Sequence, residues 1–341
     1  MLTYCIICLE LKMARQKRVT MQDIAQVSGY SITTICHVIN RTRHVDAEAR
    51  SIILKAAESL GYNFNRNNAS DKNKTIGMVI ADIRVDYFSD VTKSVEEIAR
   101  SAGYNLIYCD SAERDEDERV CIDMLLAHGV SGMILAPCNT DADYSRLIEQ
   151  QVPVVLLDRN IDSRKFDFVG IDNANSATRL TKCLWNQGSR DIGFVGYKGP
   201  QFTTRERIEG YRNALLELGI FDPKRILLID SHADNVGQEL ADFVTQRNKL
   251  DGIICQSSNA SFDILDTLTE LGSEYAERIR LGTWDDNKWF NLLKYPISAI
   301  SQPTGDIAAV ATELLFDKIE SSKRQTIPKR IFLDYELTVR P

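Results

Sequence analysis

No apolar run in this 341-residue sequence is long enough to span a membrane, which takes about 20 consecutive residues. An export signal is missing too. The start, MLTYCIICLELK, is apolar but short, without a basic front or a small-residue cleavage site. Residues 1–16 are read as a disordered extra leader, with a second possible start at Met13. Histidine is scarce, with only four and none clustered, and the lone CxxC of Cys5 and Cys8 has no second pair. No metal is therefore expected. Cys36, Cys109, Cys121, Cys138, Cys183 and Cys255 are scattered singly, which suits free thiols in a reducing cytoplasm. Catalytic signatures are absent: there is no G-x-S-x-G, no H-E-x-x-H and no Walker loop. Gly193, Gly196 and Gly199 have the wrong spacing for a dinucleotide fingerprint. Asp285-Asp286 is a carboxylate pair with no evident acid partner. No cofactor and no enzymatic activity are expected.

What is present begins with length and charge. The chain is too long for one small domain and suggests a head plus a two-lobed body. Its net charge of −7 is unevenly placed. Residues 1–74 hold 11 Lys and Arg against 6 Asp and Glu, and the rest holds 30 against 42. Only the head is suited to phosphates; the acidic body would repel them.

The head is organised around Val19 to Asn40, VTMQDIAQVSGYSITTICHVIN. Thr20 and Asp23 form a capping-box start, and Met21, Ile24, Ala25 and Val27 recur at helical spacing. Gly29 stops this first helix, and Ser31 caps a second. In the second, Ile35, Val38 and Ile39 share one face, with Thr33, Cys36, His37 and Asn40 opposite. Packed through their apolar faces, the two make a helix-turn-helix whose second helix fits the major groove of DNA. A third helix follows over Val45–Tyr62. Asp46 is its cap, Ile52, Ile53, Ala56, Ala57 and Leu60 are its stripe, and Gly61 is its stop.

Val19-Thr20, Asp23-Ile24-Ala25, Ser28-Gly29, Ser31, Thr34, Val38-Ile39-Asn40, Arg50, Ala56-Ala57 and Leu60-Gly61-Tyr62 together resemble the DNA-binding headpiece of the lac-repressor (LacI/GalR) family of bacterial regulators. The resemblance continues through most of the chain. It implies that Ile32, Thr33 and His37 take base-reading places, with His37 replacing the usual arginine and Cys36 the usual serine. The operator should therefore depart from the common family sequence. The whole expected DNA-binding set is Arg18, Thr20, Ser31, Ile32, Thr33, Thr34, His37, Asn40 and Arg41, with Lys17 and Arg43 as further phosphate contacts. Residues 17–62 are read as the head and 63–74 (NFNRNNASDKNK) as a linker. In the family this linker folds into a hinge helix that pushes a leucine into the minor groove. Here Phe64 stands where proline is usual, and Asp71 stands near the place of the leucine. An aspartate cannot act as an apolar wedge, so the resemblance does not establish kinked DNA.

From Thr75 onward strands alternate with helices. Ile76–Ala81, Leu106–Cys109, Gly132–Ala136 and Val154–Leu157 read as buried parallel strands, followed by a second series near Ile192–Val195, Ile226–Ile229, Gly252–Cys255 and Leu281–Thr283. Ile297–Ile300 is a further strand and Ile331–Val339 a final extended run. The fold class expected is α/β: an all-α helix-turn-helix headpiece plus a body of two doubly wound parallel sheets, similar to the periplasmic sugar-binding proteins. The chain should cross between the lobes near Asp172, Gln302 and Arg330. Lobe 1 then spans about 75–172 and 302–330, and lobe 2 about 173–301 and 331–341.

Ligands of open α/β sheets sit beyond the carboxyl ends of the strands. The loops there carry groups suited to a small polyhydroxylated ligand. Asp82 to Phe88 matches the family segment D-x-x-N-P-F-F, whose aromatic pair touches ligand, which singles out Tyr87 and Phe88. Asp158 ends the fourth strand as the family aspartate does. Thr203 to Tyr211 matches closely, placing Arg207 as the ligand-gripping arginine. Trp284-Asp285-Asp286 matches F-D-D, giving Asp285 a ligand role. His232 falls near a stacking aromatic of the family. Gln256-Ser257-Ser258 replaces the usual A-N-D, so hydroxyls, among them that of Ser257, stand where the family has charged and amide contacts, and the ligand is expected to differ from a common neutral hexose.

The function expected is a cytoplasmic, nucleoid-associated transcription regulator, a repressor of carbohydrate-utilisation genes relieved by a sugar-like effector. Its partners would be a near-palindromic double-stranded DNA operator, the effector and a second copy of itself, with no membrane. No heptad tail follows Val339, so a homodimer is expected rather than a tetramer. A solute-binding protein without transcriptional role and a carbohydrate-active enzyme are the alternatives. The first lacks its export signal and leaves residues 19–62 unexplained.

Overall fold

A computed structural model describes residues 21–32, 34–35, 38, 45–60, 74–161, 165–230, 233, 235–246, 250–293, 295, 297–320 and 327–340. Arg18, Thr20, Thr33, His37, Asn40, Arg41 and His232 lie outside the described residues, as do the leader and residues 61–73. The chain divides into two compact units, Met1–Asn73 and Lys74–Pro341.

In the first unit, α1 (Met21–Ser28) ends at Gly29, whose φ of +76° is the left-handed geometry that favours glycine. Ser31 then opens the second helical stretch, its Oγ accepting the Thr34 N–H at 3.2 Å. Asp46 caps α2 (Ala47–Ser59), taking the N–H groups of Glu48 and Ala49 at 3.0 and 3.3 Å. Ile24, Ile35, Val38, Ile53, Ala56 and Ala57 close into a small core. Val27 and Ile52, expected in the packing stripes, are exposed instead. Each helix is anchored through the neighbouring Ile24 and Ile53, and the flanking position turns outward.

The second unit holds two six-stranded sheets. The first contains β1 (Thr75–Ile80), β2 (Asn105–Asp110), β3 (Met133–Leu135), β4 (Val154–Leu157), β5 (Asp167–Gly170) and β11 (Arg330–Phe332), in the order β11-β5-β4-β3-β1-β2. The second contains β6 (Ile192–Tyr197), β7 (Ile226–Ile229), β8 (Gly252–Cys255), β9 (Arg280–Trp284), β10 (Ile297–Ser301) and β12 (Glu336–Thr338), in the order β12-β10-β9-β8-β6-β7. All pairings are parallel except β10 with β12. Central strands such as β1, TIGMVI, are buried along their whole length, as two covered faces require. The helices are α3 (Asp86–Ser101), α4 (Asp115–Ala127), α5 (Ser145–Glu149), α6 (Asn173–Asn186), α7 (Phe202–Glu217), α8 (Val236–Thr245), α9 (Ser258–Leu271), α10 (Ser273–Arg278) and α11 (Thr304–Glu320). Among the described residues no helix is long and apolar enough to cross a membrane.

Strand β5, which the sequence did not announce, ends the first pass through lobe 1. Asp172 then caps α6 of lobe 2, and Gln302 separates β10 from α11, which returns to lobe 1. The third crossing corrects an expectation. Placed near Arg330 by the sequence, it falls between Phe332 and Glu336, because β11 pairs with β5 and so stays in lobe 1. Phe332 rests edge-on against Phe168 at 5.6 Å, and the Leu333 N–H donates to Gly170 O.

One close approach seats the site. A Cβ added at Gly210 would lie 2.0 Å from Ala174 O and 2.8 Å from the Ala177 Cβ, so α7 touches α6 through bare backbone. The Thr178 hydroxyl donates across this contact to Gly210 O at 3.0 Å. Gly210→Ala is expected to destabilise the body by about 1–3 kcal/mol despite alanine's better helix propensity, because the helices must part. Thermal denaturation checks this; an unchanged melting temperature would contradict the tight contact.

Candidate functional site

On the head, the first turn of the second helical stretch presents Ser31 and Ile32 to solvent, while Ile35 and Val38 face the core. Ile32 is 47% exposed. An apolar side chain placed there suits the methyl group of thymine in a major groove.

In the body, a cavity of about 360 Å³ opens where the carboxyl ends of the two sheets meet. Six of the seven residues expected to bind effector line it: Tyr87, Phe88, Asp158, Arg207, Ser257 and Asp285. The seventh, His232, lies outside the described residues.

Arg207 is buried on α7, 4.3 Å above the face of the fully buried Trp284. Its Nε donates to Asn173 Oδ1 at 2.8 Å, and its Nη1 donates to Gln256 O at 2.6 Å. A guanidinium has five donors in a planar fork, so the remainder is left for the cavity. Burial pushes its pKa down, and Asp158 and Asp285 oppose that shift.

Those two aspartates occupy matching places. Asp158 follows β4 and Asp285 follows β9, the corresponding strands of the two lobes. Both have left-handed backbones, with φ of 62° and 65°. Strained non-glycine residues of this kind cluster at functional sites. Burial pushes the Asp158 carboxyl up to about 6, against the pull of Arg159 and Arg207. Burial raises Asp285 as well, although Arg207 and the Gln302 amide, 2.8 Å from its Oδ1, favour its ionised form.

Tyr87 and Phe88 open α3 and meet edge-to-face at 5.2 Å. The Tyr87 hydroxyl is buried without a hydrogen-bond partner among the described residues, and burial raises its pKa well above the ordinary range. Ser257 also holds a helix end, because its Oγ caps α9 by accepting the Ala260 N–H at 3.4 Å.

The sequence reading missed Arg159, Glu113 and Gln302 as cavity residues. Glu113 grips the Arg159 guanidinium with both oxygens at 2.6 Å and holds it 5.5 Å from the Phe88 ring. Burial works against the Glu113 charge, but Arg159 outweighs it and keeps the carboxyl below its usual range. Arg159 follows Asp158 directly, and that adjacency was a usable signal. Its pairing with Glu113, which lies far away in sequence, was not visible.

Comparison with known proteins agrees with this geometry. Residues 20–65 match the family model described as bacterial regulatory proteins, lacI family. Residues 73–281 match the model described as periplasmic binding proteins and sugar binding domain of LacI family. The chain belongs to the LacI family. As a LacI-family member it is a sequence-specific, DNA-binding transcriptional regulator, and the relatives it matches are regulators rather than enzymes. The HTH-type transcriptional regulator PtxS of Pseudomonas plecoglossicida is 29% identical over 328 residues, 95% of each chain. The ribose operon repressor of Halalkalibacterium halodurans is 26% identical over 312 residues, 90% of this chain and 92% of the other. Among solved structures, the lac repressor dimer bound to operator and the anti-inducer ONPF aligns with a TM-score of 0.68 and 20% identity, covering 95% of this LacI-family chain and 98% of that one. The Cra dual regulator of Pseudomonas putida with fructose 1-phosphate gives 0.71 and 24%, covering 79% and 99%. At these identities the structural likenesses speak to the fold.

Proposed function

We propose that this LacI-family regulator is a cytoplasmic homodimer that represses carbohydrate-utilisation genes and is released from its operator by a small sugar-like effector. The observation that carries the effector reading is the buried Arg207, which lines one cavity together with Asp158, Asp285, Tyr87 and Phe88. Carboxylates and a guanidinium take sugar hydroxyls in pairs, and aromatic rings cover apolar sugar faces. Tyr87, Phe88, Asp158, Arg207, Ser257 and Asp285 are the proposed effector contacts in the described part of the cleft, and His232 is a seventh. An effector that prefers one arrangement of the lobes shifts the population toward it and changes DNA affinity through that coupling.

Two copies are favoured by exposed apolar side chains: Tyr108 on the edge strand β2, Val120 and Met124 on the helix α4 packed against it, and Phe262 and Leu292 in lobe 2. Two heads would read two half-sites of a near-palindrome. The proposed DNA contacts are Arg18, Thr20, Ser31, Ile32, Thr33, Thr34, His37, Asn40 and Arg41.

Selection from a random duplex library tests the reading. The expected product is a near-palindromic operator bound in a salt-sensitive manner. His37→Ala should relax base preference at one position of each half-site by about 1–3 kcal/mol of lost discrimination. A chain with no sequence preference at any ionic strength would refute the operator reading.

A further inference from the structure

We propose that the cleft admits an uncharged polyhydroxylated ring and rejects the phosphorylated and acidic derivatives of the same sugar. This rests on the reading of the cleft as a sugar site and narrows it.

The charges around the cavity are largely matched among themselves. Arg84 has its guanidinium on the Asp82 carboxylate, at 2.7 to 3.1 Å. Arg159 is gripped by Glu113 through both Nη atoms. These two cations are already matched by anions. Arg207 remains; it lines the same cavity as two carboxylates, Asp158 and Asp285, and bonds to neither, its Nε and Nη1 being on Asn173 and the Gln256 carbonyl. Lys198 and Asp230 stand on the exposed rim, opposite in sign and screened by water.

The unpartnered groups point the same way. The buried Tyr87 hydroxyl, Arg159 Nε and Gln302 Oε1 have no hydrogen-bond partner among the described residues, and all three residues line the cavity. Asp158 is buried, its side chain 8% exposed, and its carboxylate accepts no hydrogen bond from the described residues; Arg159 Nε stands off at 3.7 Å. Asp285 has Gln302 on Oδ1 only. The cavity therefore offers acceptors at Asp158, Asp285 and Gln302, and donors at Tyr87, Arg159 and Arg207. A hydroxyl both donates and accepts, so several on one ring can satisfy both sets. A phosphate or carboxylate accepts only. It would leave the acceptors unmet and bring its charge against two buried carboxylates, a juxtaposition that discriminates strongly between partners. The family fold does not decide this by itself, since the Cra structure with a similar fold holds fructose 1-phosphate.

Thermal shift and calorimetry on the full chain test the inference with matched sets. These are glucose, galactose, fructose, ribose and xylose, each with its phosphate and its sugar acid. One neutral member should raise the melting temperature. Its phosphate and acid should bind about a hundredfold more weakly or worse. If only a phosphate or an acid binds, the cleft is still a sugar site and this inference falls. If no member of any set binds, both fall. Asp158→Asn and Asp285→Asn supply a second reading. Each should weaken the neutral sugar at least about tenfold and narrow the gap to its phosphate. Equal weakening of both forms would mark a merely structural role and overturn the proposal. Should one variant fail to fold, the other carries the test.

Discussion

Arg207→Ala is expected to abolish effector-induced release from the operator while operator binding itself persists. The DNA contacts proposed for this chain all lie within residues 18–41, in the compact unit that ends at Asn73, and Arg207 lies in the other. Within that body the arginine ties three elements together, through Asn173 at the start of α6, the Gln256 carbonyl after β8 and the Trp284 ring at the end of β9. Truncation to alanine removes all three contacts and the cation that favours the ionised forms of Asp158 and Asp285. Hydrogen bonds made by a charged group are worth about 1.5–3 kcal/mol each, and Asn173 Oδ1 and the Gln256 carbonyl lose theirs. The body should therefore melt earlier, and the Asp158 carboxyl should rise further above its present value of about 6, since Arg207 now opposes the effect of burial. Gel-shift titration with the sugar found by thermal shift, beside denaturant unfolding of the free protein, measures both effects. Ligand-induced release at the normal concentration would remove Arg207 from the site.

Much of this was legible in the sequence because the physics involved is local. Gly29, Ser31 and Asp46 mark helix ends through backbone conformation and capping bonds that a short stretch contains complete. Strands such as β1 and β4 are continuous apolar runs, and the parallel alternation that follows fixes where strand-end loops converge. Asp158 and Asp285 were readable because they follow such strands and also match the aspartates of the family pattern. What stayed hidden depends on pairing at a distance. Nothing in Asp167–Gly170 distinguishes a four-residue strand from a loop until β4 and β11 flank it. Ile331–Val339 reads as one extended run, yet Phe332 pairs in lobe 1 and Leu337 in lobe 2. Period-two patterning says that a segment is a strand, not which sheet receives it. The Glu113 grip on Arg159 is likewise a contact between two loops, and Gln302 looked like a mere crossing until its amide met Asp285.

Asp158→Asn is expected to have the opposite effect on stability from Arg207→Ala while costing the same response. The Asp158 carboxyl titrates near 6 in the folded body, well above an ordinary aspartate, because burial penalises its charge more than Arg159 and Arg207 favour it. Folding therefore takes up a proton in the window between the ordinary value and about 6. The stabilisation from protonated Asp158 is fully present at the acid end and is lost as pH rises through about 6. At pH 7.5 the ionised group is a net burden. At roughly 1.4 kcal/mol per pKa unit it amounts to about 3 kcal/mol. An asparagine has nearly the same shape, carries no charge, and tolerates the left-handed backbone that Asp158 adopts at φ 62°. The variant should thus melt higher than the parent at pH 7.5 and lose the component of the stability slope that Asp158 supplies between about pH 4 and 6. It should also respond poorly to effector, because a carboxylate that accepts two hydroxyls has become an amide that accepts and donates. Stability held below its maximum by an ionised group in a binding cleft is a common exchange for function. Denaturant unfolding of parent and variant across pH 4 to 8 decides the matter. Parallel curves, or a variant less stable at pH 7.5, would mean that Asp158 is held in place by more than the ligand it awaits.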